Sequence, residues 1–455
     1  AILLGKGTRM RQLYRKATAG NALKVAAVAV IMALSPLFSL NSQAQERINI
    51  NSHVADGFGR VCVLYNSRIT PINTVAVDFV TKLCGKPSWD GLSATEVFCG
   101  WVFDVPYWET VKMIEIKDKK AQELLGLNDK WASFNDFWDE YNEYKLEKPL
   151  KEAMRKGDTK MQKSLRDADE KFNIVRMLYG GEMLKLFPYR QADGKYKWFA
   201  PGQSLGNINL DEKELTFVRK SMDYLAESII TGDNSRASEI VKKIYSYQHV
   251  KAKDVIPSKF LIYAEVFYNR LNTLRLPTML YLSLSLLLGV ASTIALNRKK
   301  RKIASKVTLW LTVIMFLHTS LLLMLRWMIS GHLPMSNGFE TMQFMAWATL
   351  LLTLFMGKRF MPVKNFGPLL SSFALLVAMI TDGNPQITQL MPVLQSPLLS
   401  VHVMVIMFSY ALFGLMALIA AEGIWAHRRG DLAKEDQLAA TSGFLLYPAV
   451  SLLAV

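Results

Sequence analysis

The chain has 455 residues, of which 51% are hydrophobic, and its formal net charge at pH 7 is +16. A basic protein can bind nucleic acid through phosphate contacts. Here, however, the lysines and arginines cluster beside apolar runs, as they do in the loops of membrane proteins. We therefore exclude nucleic acid as a partner and expect contact with a lipid bilayer.

Two parts of the chain differ in composition. From Gln43 to Leu276 the sequence is rich in Lys, Glu, Asp, Tyr and Trp, as in a soluble domain. From Pro277 onward it consists of apolar runs of about 17 to 25 residues, the length that crosses about 30 Å of hydrocarbon. These features predict a mostly α-helical, polytopic membrane protein. Its parts would be a basic cytoplasmic segment with the first membrane helix (1–42), a large, mainly helical exported domain (43–276) and a transmembrane domain (277–455).

The apolar runs are predicted to be membrane helices. The first, Asn21–Leu40, is either an uncleaved anchor or a signal peptide, because "SQA" before Gln45 is typical of a cleavage site. The others are Pro277–Leu296, Val307–Leu325, Phe339–Met356, Phe366–Ile380, Val401–Trp425 and a run that begins near Ser442. No Met stands at position 1 and the last run is unfinished at Val455, so we expect a piece of a longer protein.

The distribution of Lys and Arg predicts the orientation. Three basic stretches, Asn297–Lys302, Gly357–Lys364 and His427–Arg429, occupy alternate loops, whereas the loop Thr381–Leu399 has neither Lys nor Arg. Positively charged loops stay in the cytoplasm. The domain at 43–276 is therefore expected to be outside, as is the turn that follows Leu325.

Helical patterns dominate the exported domain. Ser93 and Glu96 have the spacing of a capping box. Apolar residues recur at helical spacing in Asp211–Ile230 and in Ser238–Gln248. The segment Ser258–Pro277 is predicted to be an aromatic-rich amphipathic helix that leads straight into the membrane.

The exported domain shows no active-site motif. Its cysteines, Cys62, Cys84 and Cys99, are odd in number, so we expect one disulfide or none, and no redox role. The sequence contains no CxxC or CxxCH. This excludes a thioredoxin-like oxidoreductase and a c-type cytochrome.

Reactive side chains concentrate in "RWMISGHLPMSNGFETMQFMAW", residues 326–347, at an outer turn. Arg326, Trp327 and His332 lie in this stretch, and His402 lies near the outer end of a later run, roughly 3 Å below the helix mouth at 1.5 Å per residue. A neutral imidazole binds haem iron, and a cation with an aromatic ring suits a flat, acidic, apolar ligand such as haem. The alternative is that Trp and Arg are ordinary interfacial anchors.

His318 lies in the middle of an apolar run, where an ionisable side chain needs a partner or a cavity. Both a hydrogen bond within the bundle and a functional ligand or relay remain open. His53 and His249 are expected to be structural or surface residues, and His427 is expected to contribute topological charge.

Two segments resemble signature segments of the CcsA (ResC-like) proteins of system II cytochrome c biogenesis. The first family segment reads roughly RW-x-x-SGH-x-P-x-S-x-x-x-E-S. It is matched by Arg326, Trp327, Ser330, Gly331, His332, Pro334, Ser336 and Glu340, with Thr341 in place of the usual Ser. The second is matched by Pro392, Leu394, Ser396, His402, Ser409, Tyr410 and Ala411. More weakly, Ser67–Thr74 resembles the GR-x-x-PLNT segment of fused members, in which a CcsB/ResB-like half precedes CcsA.

The resemblance implies a function for the chain. Family members bring haem b to the outer face of the bacterial inner membrane and present it for thioether attachment to the CxxCH of apocytochrome c. Thiol-reducing partner proteins assist them, and the domain at 43–276 would be periplasmic. The chain would be part of a cytochrome c synthase (haem lyase).

The resemblance also assigns roles in the haem site. His402 would be an axial ligand of the haem iron. The turn would form a wall of the chamber, where Arg326 could pair with a propionate, Trp327 could stack on the macrocycle and Glu340 would cap the base of the turn. Three roles stay open for His332: a hydrogen-bond donor behind the ligand, a transient ligand, or a hydrogen bond within the turn. A tryptophan-rich WWD loop and a second outer histidine are expected after Val455. The alternatives are a membrane transporter, or an assembly scaffold with an exported docking domain and no haem-lyase role.

Overall fold

The computed structural model describes residues 47–181, 183–201, 203, 210–271, 275–293, 298–381, 385–388 and 396–454. Residues from Ile48 onward form one compact unit. Within it we distinguish a head region, residues 48–258, from a helical bundle, residues 259–453. The first apolar run, Asn21–Leu40, lies outside the described residues.

The described part of the head region is mainly helical. Its helices are α1 (Ser52–Gly59), α2 (Ile72–Cys84), α3 (Ala94–Phe103), α4 (Val105–Trp108), α5 (Lys119–Leu125), α6 (Glu147–Lys156), α7 (Thr159–Tyr179), α8 (Glu212–Ile230) and α9 (Asn234–Lys251). A 3₁₀ turn lies at Asn135–Phe137. Most of these helices contribute to one apolar core, in which Phe58, Phe98 and Trp101 are at most 1% exposed.

Local sequence signals determine several helix ends. The predicted capping box is confirmed at the start of α3, where Glu96 N–H donates to Ser93 Oγ at 3.3 Å and Ser93 N–H donates to Glu96 Oε2 at 2.8 Å. At the end of α6, Gly157 has a φ of +66°. A left-handed residue of this kind terminates a helix. The charge-rich stretch Lys145–Lys171, for which the sequence predicts a helical segment, is therefore divided between α6 and α7.

Four short antiparallel hairpins complete the described head region. They are β1 (Cys62–Tyr65) with β2 (Arg68–Pro71), β3 (Ser88–Trp89) with β4 (Leu92–Ser93), β5 (Ile114–Glu115) with β6 (Trp131–Ala132), and β7 (Phe187–Arg190) with β8 (Tyr196–Phe199). The sequence patterns did not predict them. Strands of two to four residues are too short to show alternation, and the β1–β2 turn uses Asn66 and Ser67 at positive φ instead of glycine.

All three cysteines of the chain are free and buried. Burial, with a smaller contribution from Glu265, raises the pKa of the Cys62 thiol to about 12. Burial likewise raises the pKa of Cys84 to about 12 and also raises that of Cys99. The structure therefore has no disulfide, which is one of the two outcomes that the odd cysteine count allowed.

The described bundle consists of consecutive helices. They are α10 (Lys259–Leu271), α11 (Arg275–Thr293), α12 (Arg298–Ser330), α13 (Gly338–Met356), α14 (Met361–Thr381), α15 (Pro397–Arg428) and α16 (Leu432–Leu453). By length and composition, four of the described helices can cross a membrane, namely α12 to α15, and α10 with α11 adds a fifth span if the bent pair counts as one. The prediction of a polytopic, mostly α-helical membrane protein is confirmed.

The helices of the bundle differ in extent or direction from several of the predicted runs. α10 does not continue straight into the membrane, because its axis is bent by 53° from that of α11. Pro277 stands in the first turn of α11, where proline starts a helix more readily than it continues one. α15 begins at Pro397 instead of Val401, and α16 begins at Leu432 instead of near Ser442.

The close packing of α13 against α14 leaves no room for a larger side chain at Gly367. A Cβ built there overlaps the side chain of Thr353, whose hydroxyl is held by a 2.7 Å hydrogen bond to Thr349 O. Gly367→Ala should therefore destabilise the bundle by about 1–3 kcal/mol, the usual cost of overpacking. Thermal unfolding of the purified protein in detergent measures this. Gly443→Ala is the control, because a Cβ there meets nothing within 4 Å. Equal melting temperatures for both variants would contradict this packing.

Candidate outer-turn site

The turn between α12 and α13 is organised by a buried ion pair. The Arg326 side chain near the end of α12 and the Glu340 side chain in the first turn of α13 are each 1% exposed. Arg326 Nε donates to Glu340 Oε1 at 2.5 Å. Breaking a pair this deeply buried is costly, because the remaining charge has no solvent to stabilise it.

The other oxygen of Glu340 holds the base of the turn. Glu340 Oε2 accepts from both the backbone N–H and the hydroxyl of Ser336, each at 2.7 Å. Asn337 Oδ1 in turn accepts from Glu340 N–H at 3.0 Å and caps α13. At the opposite end of the turn, Gly331 has a φ of +72° and closes α12. Glu340 therefore orients the base of the turn as expected from the sequence.

The remaining donors of Arg326 reach two other parts of the bundle. Arg326 Nη1 donates to Tyr268 Oη on α10, and Nη2 donates to Pro385 O in the loop after α14, both at 3.1 Å. The guanidinium also lies 5.4 Å from the ring centroid of Phe339, a cation–π distance. Arg326 thus has protein partners on α10, α13 and the 385–388 loop.

α10 connects this ion pair to the head region. Glu265, three residues before Tyr268 and 3% exposed, accepts from Arg68 at 2.5 and 2.9 Å. It also accepts from the hydroxyls of Thr70 and Thr74 at 2.7 Å. The segment that weakly resembled the fused family members therefore forms the contact between the head region and α10.

A second contact joins the head region to the outer loop of the bundle. Gln386, next to Pro385, donates to Tyr65 Oη at 3.0 Å and also contacts Asp78 and Asn66. The sequence analysis missed both this contact and the role of α10. A signal for the role of α10 was Glu265, the single acidic residue in the largely apolar and aromatic stretch Lys259–Leu271.

His402 is exposed and lies on the part of α15 that meets the turn. Met335 of the turn packs in one apolar cluster with Val403, Met404 and Met407 of α15. Because α15 begins at Pro397, His402 lies roughly 7.5 Å from the start of the helix at 1.5 Å per residue. The predicted depth of about 3 Å was therefore too small.

One ring nitrogen of His332 forms a hydrogen bond, and the other has no hydrogen-bond partner among the described residues. Its Nδ1 is 3.0 Å from Leu333 O, so Nδ1 carries the hydrogen and Nε2 carries the lone pair. Nε2 is buried and has no hydrogen-bond partner among the described residues. A histidine that donates from one nitrogen to a backbone carbonyl is oriented for ligation or hydrogen-bond acceptance at the other.

Trp327 has a fixed backbone and an exposed ring. Its carbonyl accepts from Gly331 N–H at 2.9 Å and from Ser330 Oγ at 3.3 Å, while the residue as a whole is 52% exposed. Arg326 and Glu340 thus lie together at the turn that carries His332, and this turn packs against α15. The Trp327 side chain takes no part in those hydrogen bonds.

His318 lies in the interior of α12. Its Nδ1 is 3.2 Å from Tyr281 Oη on α11. Of the two interpretations of this residue, the structure shows the hydrogen bond within the bundle. In the part of the chain that the structure describes, no group of three or more His, Cys, Asp or Glu side chains is arranged to hold a metal ion.

A cavity of about 740 Å³ lies between the head region and the turn. Its lining includes Arg68 and Glu265 from the head–α10 contact, Ile329 and Ser330 from the end of α12, and Trp198 from β8. The end of α12 at Ser330 is thus accessible from a space large enough for a polypeptide side chain or a similar group.

Comparison with known proteins identifies relatives of the chain. The Cytochrome C assembly protein family matches residues 335–450. Protein NrfI of Wolinella succinogenes is 31% identical over 408 residues, which cover 85% of this chain and 44% of that protein. Cytochrome c biogenesis protein CcsA of Prochlorococcus marinus strain MIT 9312 is 30% identical over 146 residues, 30% of this chain and 46% of the relative. CcsA of Chlamydomonas reinhardtii is 34% identical over 141 residues, which cover 29% of this chain and 40% of that protein.

These matches cover the two regions differently. The family match includes Glu340 and His402, whereas Arg326, Trp327 and His332 precede it. The alignment with NrfI, at 408 residues, is longer than the bundle and therefore extends into the head region. The chain spans less than half the length of each of these three relatives.

Removing one partner of the buried ion pair should strongly lower the free energy of unfolding. Glu340→Ala leaves the buried Arg326 charge without its partner, so we expect a cost of about 3–5 kcal/mol in the free energy of unfolding. The double variant Arg326→Met/Glu340→Met should recover most of that loss, because no uncompensated charge remains. Thermal unfolding in detergent measures both effects.

The control is an exposed pair in the head region, Lys148 with Glu143, whose side chains are 82% and 59% exposed. Its removal should leave the melting temperature unchanged. A Glu340→Ala protein as stable as this control would show that the ion pair does not hold the turn.

Proposed function

The chain belongs to the CcsA/ResC family of cytochrome c biogenesis proteins, and from this membership we propose that it presents haem b for attachment to apocytochrome c. The observation that carries the proposal is the turn between α12 and α13, which a buried ion pair fixes and which an apolar cluster packs against the helix of His402. Because the chain spans less than half of its relatives' length, the activity is proposed for the full-length protein.

His402 is the proposed axial ligand of the haem iron. Its imidazole is exposed, and among the described residues no hydrogen bond to either ring nitrogen is recorded. A ligand histidine must keep one nitrogen free for the iron. The second axial histidine, and the WWD loop that covers the haem in the family, are expected in the sequence after Val455.

The outer turn supplies the wall of the proposed haem chamber. The exposed ring of Trp327 offers an apolar face to the macrocycle, and His332 offers a buried, unsatisfied Nε2. We propose that Arg326 contributes by fixing the turn, because its Nε, Nη1 and Nη2 atoms already donate to protein acceptors. A haem propionate would have to displace one of those acceptors to pair with it directly.

The reaction is addition of thiols to haem vinyl groups. Each cysteine of the CxxCH segment forms one carbon–sulfur bond to a vinyl group, and the thiol proton is transferred to the neighbouring vinyl carbon. No electrons are gained or lost in this addition, so the chemistry requires only that the cysteines arrive reduced. Partner proteins that reduce thiols, and a CcsB/ResB-like half fused upstream, complete the proposed assembly. The chain would then be part of a cytochrome c synthase.

The proposed location is the bacterial inner membrane, with residues 43–276 in the periplasm. Support comes from the basic residues Arg428 and Arg429 at the end of α15 opposite His402. Placing the head region outside also places the turn, His402 and the 740 Å³ cavity on the side where apocytochrome c is matured.

A docking function of the head region is the second candidate. The observation that favours it is the same cavity, which is lined by head-region and bundle residues and lies beside Ser330. A scaffold would bind the apocytochrome there without holding haem. The haem content of the purified protein distinguishes the two functions.

His402→Ala in the full-length protein tests the ligand assignment. Folding should be nearly intact, because the position is exposed and Ala is a good helix former. Haem bound per protein, measured from the Soret band and by haem extraction, should fall, and cytochrome c maturation in cells should fall with it. Added imidazole should restore part of both, because it can occupy the position of the lost ligand.

The matched control is His427→Ala at the other end of α15, where the exposed ring contacts Glu435. It should retain both haem and maturation. If His402→Ala kept full haem content and full maturation, His402 would not be the ligand.

Cysteine labelling tests the orientation. The native cysteines give a low background, since they are buried and the pKa values of Cys62 and Cys84 are about 12, which keeps these thiols protonated at neutral pH. Thr388→Cys in the full-length protein should react with an impermeant maleimide added to spheroplasts. Arg428→Cys should react only after the membrane is permeabilised. The reverse pattern would place His402 on the cytoplasmic side and refute the proposed haem presentation.

A further inference from the structure

A basic pocket of about 270 Å³ lies where α1, α9 and α10 meet. Four of its lining side chains can carry positive charge, and four others carry hydroxyl groups. They are His53, Arg60, Lys242 and Lys259, and Ser238, Tyr245, Ser246 and Tyr263. No carboxylate is among the described lining residues. The pocket therefore has the chemistry of an anion site.

The carboxylates of Asp56 and Glu239 form ion pairs with cations outside the pocket, and Glu239 also interacts electrostatically with Lys242. Asp56 on α1 pairs with Arg270 at 3.3 Å, and Glu239 on α9 pairs with Lys243 at 2.8 Å. Across the described residues, no salt bridge involves Arg60, Lys242 or Lys259. Arg60 instead lies 5.0 Å from the ring centroid of Tyr263, which positions its guanidinium at the pocket.

The pocket lies near the end of a helix that is long and apolar enough to cross a membrane. Tyr268 on α10 contacts Arg326, four residues before the end of the membrane-crossing helix α12. Tyr263 precedes Tyr268 by five residues, or roughly 7.5 Å along the helix. The interfacial layer on each side of a bilayer is about 5–7 Å thick.

An exposed apolar stripe runs from the pocket towards the membrane. On α10, Phe260, Tyr263 and Phe267 are 64%, 52% and 49% exposed, and their spacing of three and four residues places them on one face. Leu276 and Leu280, 68% and 58% exposed, extend the apolar surface along α11. Exposed aromatic residues of this kind are typical of a membrane interface.

We propose that this pocket binds the headgroup of an anionic phospholipid in the leaflet on the side of the head region. The phosphate lies among Arg60, Lys242 and Lys259, and the acyl chains lie along the stripe on α10 and α11. The two features together select an amphipathic anion, because the pocket supplies a cluster of positively charged side chains and the stripe supplies apolar surface. The bound lipid would hold α10 at the depth at which Tyr268 meets Arg326.

Spin-labelled lipids test the proposal. The full-length protein is reconstituted in phosphatidylcholine vesicles that contain either spin-labelled phosphatidylglycerol or spin-labelled phosphatidylcholine. The motionally restricted fraction of each label is compared. We expect a preference for phosphatidylglycerol that falls about fivefold for each pocket cation removed, and therefore strongly in Arg60→Gln/Lys259→Gln.

The matched control is Lys160→Gln/Lys163→Gln on α7, which removes two charges from exposed positions outside this pocket. It should keep the preference of the wild type. Equal preferences in the two double variants would overturn the proposal. A wild-type preference abolished by millimolar inorganic phosphate would also overturn it, since the site would then bind a free anion. Lys242→Gln alone provides a milder variant if the double variant is unstable.

Discussion

The architecture of the outer surface depends on one buried charge. The Arg326 side chain is 1% exposed and donates to Glu340, Tyr268 and Pro385, which belong to three different elements. An arginine cannot lose its proton in a protein. The three acceptors must therefore remain around it, or the charge is left without compensation in an apolar environment. This requirement fixes the turn, α10 and the 385–388 loop with respect to one another.

α10 is the element through which this constraint reaches the head region. Glu265 and Tyr268 are three residues apart and are therefore neighbours on the helix surface. The first accepts from Arg68, Thr70 and Thr74 of the head region, and the second accepts from Arg326 of the bundle. Because of the bend before α11, α10 follows the head region instead of continuing the direction of the membrane helix. The head region and the outer turn are thus joined by short polar contacts on one helix.

Sequence alone predicted the features that depend on local patterns. The membrane helices followed from the length of apolar runs, and the capping box at Ser93 followed from residue spacing. The turn stood out because Arg, Trp, His and Glu are unusual in such a place. The position of His402 on α15 was predicted, but its depth was not, because proline at the first position of a helix allows an earlier start.

Features that depend on distant contacts were not predictable in this way. Tyr268 and Arg326 are separated by 58 positions, and Arg68 and Glu265 by 197. No periodicity relates such residues. The hairpins were not predicted for a different reason. Strands of two to four residues have too few positions to show an alternating pattern. The haem-ligand role of His402 remains a prediction from the family resemblance and its exposed position.

The burial of the three cysteines determines whether this protein can take part in thiol–disulfide exchange. A protein that receives an apocytochrome must meet two free thiols and the dithiol carriers that keep them reduced. Exchange begins with attack by a thiolate. Cys62, Cys84 and Cys99 are buried, and their raised pKa values keep them protonated. The described surface therefore offers no thiol that can form a mixed disulfide, so a dithiol carrier that met this surface would not lose electrons to these cysteines.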